Sequence, residues 1–197
     1  EDSTGNYGEK NDADIGQTGN FKSTITAQAG AENYVFHDTM STGLTYGSVT
    51  GITLNGTAVD ASNYTVVTEG PTDGCTFEVR FTQTFCDTLE ANDQIVISYT
   101  ATLNEKAVIA GAGNPNESKL SYGDKGDASH TPSGTTPPSE TKTYTWDLDI
   151  LKYGNGNESN VLKDAKFVLL NKDKNKVATV VNGKITGWSN VPAAGEG

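Results

Sequence analysis

Apolar and polar residues alternate with a period of two in five short runs, at positions 21–25, 34–38, 64–67, 77–81 and 95–99. A strand turns successive side chains to opposite faces, so each run predicts a strand with one buried side. Gly, Asn, Asp or Pro bounds every run, which keeps the strands short. The Asn55-Gly56 pair, set between strand-like residues 52–54 and 58–59, predicts a two-residue hairpin turn. Helical periodicity never exceeds about two turns, and only 104–110 suggests a short helix or a bulge. The pattern predicts an all-β chain built on a sandwich.

From Gly123 to Thr143 the sequence turns to GDKGDASHTPSGTTPPSETKT, whose Pro, Gly, Ser and Thr favour extended, solvated chain. This predicts a first domain at 1–130, a linker at 131–143 and a second β domain at 144–197. In the second domain 144–153, 166–170 and 177–181 read as strands, with turns at 154–157 and at Asn182-Gly183. Its 54 residues supply too few strands to close a sandwich, so the second domain is expected to be truncated.

Composition narrows the function classes. A net charge of -11 with Arg80 as the lone arginine gives no cationic surface for phosphate, so nucleic acid is not an expected partner. No apolar run approaches the ~20 residues of a membrane span, and any targeting or anchoring segment is expected outside these residues. Cys75 and Cys86 flank a strand-like run that, if extended, separates them by about 36 Å, so two buried thiols are expected instead of a disulfide. Neither His37 nor His130 has a cysteine or carboxylate at ligand spacing, and no metal or cofactor is expected. Asn171, Asp173 and Asn175 alternate like part of a calcium loop, but lysines intervene and the glycine such a loop needs is absent, which fits a solvated turn.

Two positions carry candidate chemistry. In WDLDILKYGNG the alternation puts Trp146, Leu148, Ile150 and Lys152 on one face, an ammonium on an apolar side. If buried, such a lysine sheds its proton and becomes a nucleophile; the alternative is a side chain that snorkels to water near a strand end. In NYVFHDTMSTGLTY the same rule puts Asp38 with Tyr34 and Phe36. A carboxyl there is either a proton donor with a raised pKa or a hydrogen-bonded turn residue preceding Thr39 and Ser41.

The segments IGQTGNFKSTITAQAGAENYVFHDTMSTGLTY and QIVISYTATLNEKAVIAGAGNPNESKLSYGD resemble the isopeptide-forming middle domain of Gram-positive sortase-assembled pilins, related to the collagen-adhesin A-type domain. DILKYGNG followed by LKDAKFVLLN resembles the opening of a collagen-adhesin B-type domain. The resemblance implies two tandem immunoglobulin-like sandwiches, each closed by an amide between a lysine on the first strand and an Asn or Asp on the last, with a buried acid assisting. It assigns Lys152 as nucleophile of the second domain, its acid and acceptor lying past Gly197. In the first domain it assigns Asp38 as assisting acid, with Glu69 and Glu78 as weaker candidates, and a lysine preceding Glu1. Lys22 points outward by alternation and is not assigned. The acceptor falls at Asp124, after Tyr122-Gly123, or alternatively at Asn116.

The function so implied is structural: a shaft or stalk subunit of a cell-wall-anchored extracellular pilus, joined by sortase to other pilin subunits. Each crosslink forms once, without cofactor or turnover, so the chain is not expected to be an enzyme. The alternative is an adhesin domain that binds host matrix or glycan in a groove rimmed by Tyr7, Tyr46 and Tyr64.

Overall fold

The computed structural model describes residues 1–2, 4–123 and 132–192, and the chain divides into two compact units between Asp147 and Leu148. The first unit contains strands β1 (Lys10–Asp12), β2 (Thr18–Thr26), β3 (Glu32–Met40), β4 (Leu44–Leu54), β5 (Thr57–Ala58), β6 (Tyr64–Val67) and β7 (Phe77–Phe81). A one-turn helix α1 (Gln83–Cys86) follows, then β8 (Gln94–Leu103), β9 (Asn114–Gly123), β10 (Gly134–Thr135) and β11 (Ser139–Tyr144).

These strands form two sheets. One runs β1-β11-β9-β3-β7-β6, with β10 also paired to β9, and the other runs β2-β8-β4-β5. The five strands expected from alternation lie within β2, β3, β6, β7 and β8. β8 shows why: Ile95, Ile97, Tyr99, Ala101 and Leu103 are buried, and the residues between them are only half-buried. Their apolar faces meet Phe36, Phe77, Val79 and Leu120 of the larger sheet in one core. Tyr99 is central to it, its ring 5.2 Å from that of Phe77, 5.6 Å from that of Phe21 and 6.3 Å from that of Phe36. Asn55 and Gly56 both adopt positive φ in the β4–β5 hairpin, the backbone that turn requires.

In the first unit two local expectations differ from the structure. Residues 104–110 form a turn, in which Ala107 N donates to Asn104 O, and neither a helix nor a bulge. The stretch read as a linker at 131–143 contains β10 and β11; β11 pairs antiparallel with β9 and parallel with β1. Its Ser, Thr, Glu and Lys residues carry no apolar alternation because β11 is held by backbone hydrogen bonds near the sheet edge, with only Thr143 buried. Cys75 and Cys86 are free, buried thiols. No described helix is long and apolar enough to cross a membrane.

The second unit has one two-stranded sheet, β12 (Lys176–Val181) and β13 (Lys184–Asn190), turned at Asn182-Gly183, where both residues have positive φ. The strand expected at 144–153 ends at Tyr144, and that at 166–170 is reduced to a Leu170–Val177 bridge. Asn171 Oδ1 accepts from the N–H groups of Asn175 and Lys176 in the expected solvated turn. No facing sheet covers the apolar side chains of this unit among the described residues: Leu148, Ile150, Phe167, Val180 and Trp188 are all exposed.

Burial therefore predicts unequal responses to truncation. Ile97→Ala, at a fully buried position, is expected to lower stability by about 2–5 kcal/mol in urea unfolding. Val180→Ala, at a position 53% exposed, is expected to change it by no more than about 0.5 kcal/mol.

Candidate functional site

The alternation of β3 buries Asp38 completely, on the same face as Phe36 and opposite Phe77 of β7 and Ser118 of β9. β9 brings Asn116 in on that face from one side, and β8 brings Tyr99 from the facing sheet. Tyr99 O–H donates to Asp38 Oδ2 at 2.7 Å. The Asn116 side-chain amide donates to the same Oδ2 at 2.9 Å and to the Tyr99 oxygen at 3.1 Å. Ser23 Oγ of β2 lies 3.4 Å from the Tyr99 hydroxyl.

This network leaves two oxygens over. Asp38 Oδ1 and Asn116 Oδ1 are buried and have no hydrogen-bond partner among the described residues. An unpartnered buried polar atom costs roughly 1–3 kcal/mol, and here two of them fall in one network. Asn116 and Tyr99 line a cleft of about 550 Å³ between β2 and the β9–β11 side of the larger sheet, also bordered by Phe21, Ser23, Phe36 and Ser118.

Burial raises the Asp38 pKa to about 7, against the opposing hydrogen bonds from Asn116 and Tyr99. Near neutral pH the carboxyl is therefore available in its protonated form, able to donate as well as accept. Burial and the neighbouring Asp38 charge both raise the Tyr99 pKa, so its hydroxyl keeps its proton and stays a donor to Asp38.

The structure thus brings together Asp38 and Asn116 from the sequence-level candidates, and adds Tyr99. Only the inward position of Tyr99 on β8 marks it in the sequence, since a buried tyrosine hydroxyl needs a polar partner. Asp124 and His130 lie outside the described residues. Glu69 is exposed, and Glu78, though fully buried, faces the opposite side of the sheet from Asp38. Lys22 is exposed and lies over the Tyr7 ring at 4.1 Å, outward as expected.

Of the two readings of Lys152, buried or snorkelling, burial is not found. Trp146, Leu148, Ile150 and Lys152 are all exposed, because their segment is not in a strand and has no sheet packed upon it among the described residues. The tyrosines read as a groove rim do not make one: Tyr46 stacks on Phe77 at 4.4 Å, Tyr64 meets Phe81 edge-on, and Tyr7 is exposed. His37, which has no metal-ligand spacing along the sequence, has potential ligands in space, since strand pairing places Glu78 opposite it and the preceding loop adds Asp73 and Cys75.

The raised Asp38 pKa has a direct consequence for stability. The folded state holds this proton more tightly than the unfolded chain, whose Asp titrates near ~3.9. The contribution is complete below that value and is lost as pH rises through about 7. The titratable groups facing Asp38 are Tyr99 and Tyr46, both raised above their ordinary range by burial and by Asp38 itself, so neither competes in this window. Relative to Asp38→Asn, the native sequence is expected to lose about 2 kcal/mol of unfolding free energy between about pH 5.5 and pH 8.5 in urea titrations.

Residues 15–126, more than half of the chain, match the family model of the Gram-positive pilin backbone subunit 2, Cna-B-like domain. That description likens the first unit to the B type, where sequence resemblance compares it with the A type. Among solved structures, the chain is similar to the 35 kDa C-terminal fragment of the major pilin GBS80 of Streptococcus agalactiae, with TM-score 0.65 and 23% identity over 88% of this chain and 63% of that one. It is also similar to BcpA, the major pilin subunit of Bacillus cereus, with TM-score 0.56 and 19% identity over 92% of this chain and 50% of that one. Both likenesses concern the fold, and the chain spans between half and two-thirds of the length of these structures. No curated protein matches the chain.

Proposed function

The chain belongs to the Gram-positive pilin backbone family, and on that premise we propose that it is a shaft segment of a cell-surface pilus whose first unit is closed by an amide bond on Asn116. The observation that carries this reading is the buried Asp38–Tyr99–Asn116 cluster, with its two unpartnered oxygens beside the cleft. A lysine presented by a strand seated along the open edge of β2 supplies the missing donor to those oxygens.

The chemistry needs three things, and the cluster supports each. A dry pocket favours the neutral amine over the ammonium. A protonated Asp38 donates to the Asn116 carbonyl oxygen and makes its carbon electrophilic. Fixed strands hold the carboxamide in place, its nitrogen already engaged by Asp38 and Tyr99. The lysine Nζ forms a bond to the Asn116 side-chain carbon, and the carbon–Nδ2 bond breaks. A proton from the attacking nitrogen passes through Asp38 to the departing group, which leaves as ammonia, and Asp38 ends in the state in which it began.

The event happens once per molecule and is not turnover. By the loop estimate used for disulfides, closing a loop on the order of 100 residues removes about 4 to 5 kcal/mol of unfolded-state entropy. It also carries pulling force across the sandwich through covalent bonds, which suits an extracellular shaft assembled by sortase from like subunits. For the second unit, Lys152 is proposed as the corresponding nucleophile once further strands cover the exposed apolar side chains around it.

Intact and tandem mass spectrometry of the full-length subunit tests this. The expected result is loss of one ammonia from the first unit, with a branched peptide that joins a lysine to Asn116, and a separate loss of one ammonia or water from the second unit. Asn116→Ala and Asp38→Ala are each expected to restore the unmodified mass of the first unit. Loss of water mapped to Asp124, persisting in Asn116→Ala, would overturn the assignment of Asn116. Lys152→Ala is expected to remove only the second unit's crosslink.

A further inference from the structure

On the outer face of the larger sheet, away from the Asp38 cluster, four donor atoms of different chemistry converge. His37 Nδ1 lies 3.3 Å from Asp73 Oδ1, 3.3 Å from Glu78 Oε1 and 3.8 Å from Cys75 Sγ. All four ligand atoms lie within 4.8 Å of one another. Bond lengths of about 2.0–2.3 Å to nitrogen, oxygen and sulfur at tetrahedral angles put neighbouring ligand atoms about 3.3–3.6 Å apart, close to the three separations from His37 Nδ1. His37, Cys75 and Glu78 are buried, because the turn carrying Asp73 and Cys75 folds over β3 and β7.

The outer partners point the same way. His37 Nε2 is 2.9 Å from Ser121 Oγ, an arrangement that lets Nε2 carry the ring proton and turns the Nδ1 lone pair towards the two carboxylates. Each carboxylate presents one oxygen to the centre and gives its other oxygen to a cation: Asp73 Oδ2 to Lys119 at 2.5 Å, and Glu78 Oε2 to Arg80 at 2.7 Å. Glu78 Oε1 is further oriented by the Thr72 backbone N–H and hydroxyl. Three ligands are thus fixed by their second heteroatom, the pattern that orients metal-binding side chains.

We propose that His37, Asp73, Cys75 and Glu78 form a binding site for a borderline-soft divalent cation, zinc by the chemistry of its donors. A mixed nitrogen, sulfur and oxygen set suits zinc better than magnesium or calcium, which take oxygen alone. On binding, a metal–sulfur bond forms and the Cys75 thiol proton is released to solvent. The ion ties the turn at 71–76 to β3 and β7, holding down the outer face behind Asp38, whose backbone carbonyl accepts from Thr76 N at 2.7 Å.

The test is titration of the chelator-treated chain with zinc chloride by calorimetry, and with cobalt(II) by visible spectroscopy. The expected results are one ion per chain, a tetrahedral cobalt spectrum with a thiolate-to-metal band, and a raised melting temperature with zinc. Cys75→Ser is expected to remove the thiolate band, His37→Ala to weaken binding at least about tenfold, and Cys86→Ser to change neither. No saturable uptake by the native sequence would overturn the proposal. So would an all-oxygen octahedral cobalt spectrum, or a thiolate band that survives Cys75→Ser. The native-sequence spectrum decides the matter even where a variant fails to fold.

Discussion

A carboxyl group enclosed between two β-sheets is the constraint around which the first unit is arranged. Asp38 is fully buried, and its surroundings are otherwise aromatic and aliphatic. Such a group is tolerable only if it is neutral or well supplied with donors. Tyr99 and Asn116 supply part of that need through a single oxygen, and the remaining oxygen lies unpartnered in the core. A domain selected for stability alone has no reason to keep this arrangement, since an apolar residue of similar shape would remove the unmet hydrogen bond. The arrangement is the one that the proposed proton-transfer role of Asp38 requires.

The fold supports that use through the placement of three strands. β3 and β9 are neighbours in one sheet and set Asp38 and Asn116 on the same face, while β8 of the facing sheet delivers Tyr99. The cleft beside β2 leads to this point. His37, the residue before Asp38, projects from the opposite face into a separate polar cluster. The period of two along one strand thus presents two polar clusters back to back, a dry one within the sandwich and an ionic one beneath the turn at 71–76.

Much of this was legible in the sequence because the relevant signals were local. Alternation placed Asp38 on the buried side of β3 and Lys22 on the outer side of β2, and the Asn55-Gly56 pair marked its hairpin. What could not be read depends on pairing between distant strands. Asn116 lies in NPNESKLSYG, a strand with few apolar residues, and the resemblance puts the acceptor just after Tyr122, first at Asp124. Tyr99 ends an alternating run, and nothing local in the sequence separates it from other inward positions; its hydroxyl meets Asp38 only across the two sheets. The metal-ligand spacing around His37 exists only because β3 pairs with β7. β11 was hidden because backbone hydrogen bonds, and not apolar burial, hold it. Lys152 shows the converse: apolar alternation yields neither strand nor burial where no facing sheet covers it among the described residues.

The most direct test of the central claim is the electron density around Asn116 in a high-resolution crystal structure of the full-length subunit. Unbroken density from the Asn116 side-chain carbon to a lysine Nζ, with a planar amide and Asp38 within hydrogen-bonding distance, is the predicted result. An intact Asn116 carboxamide with every lysine amine free would contradict it.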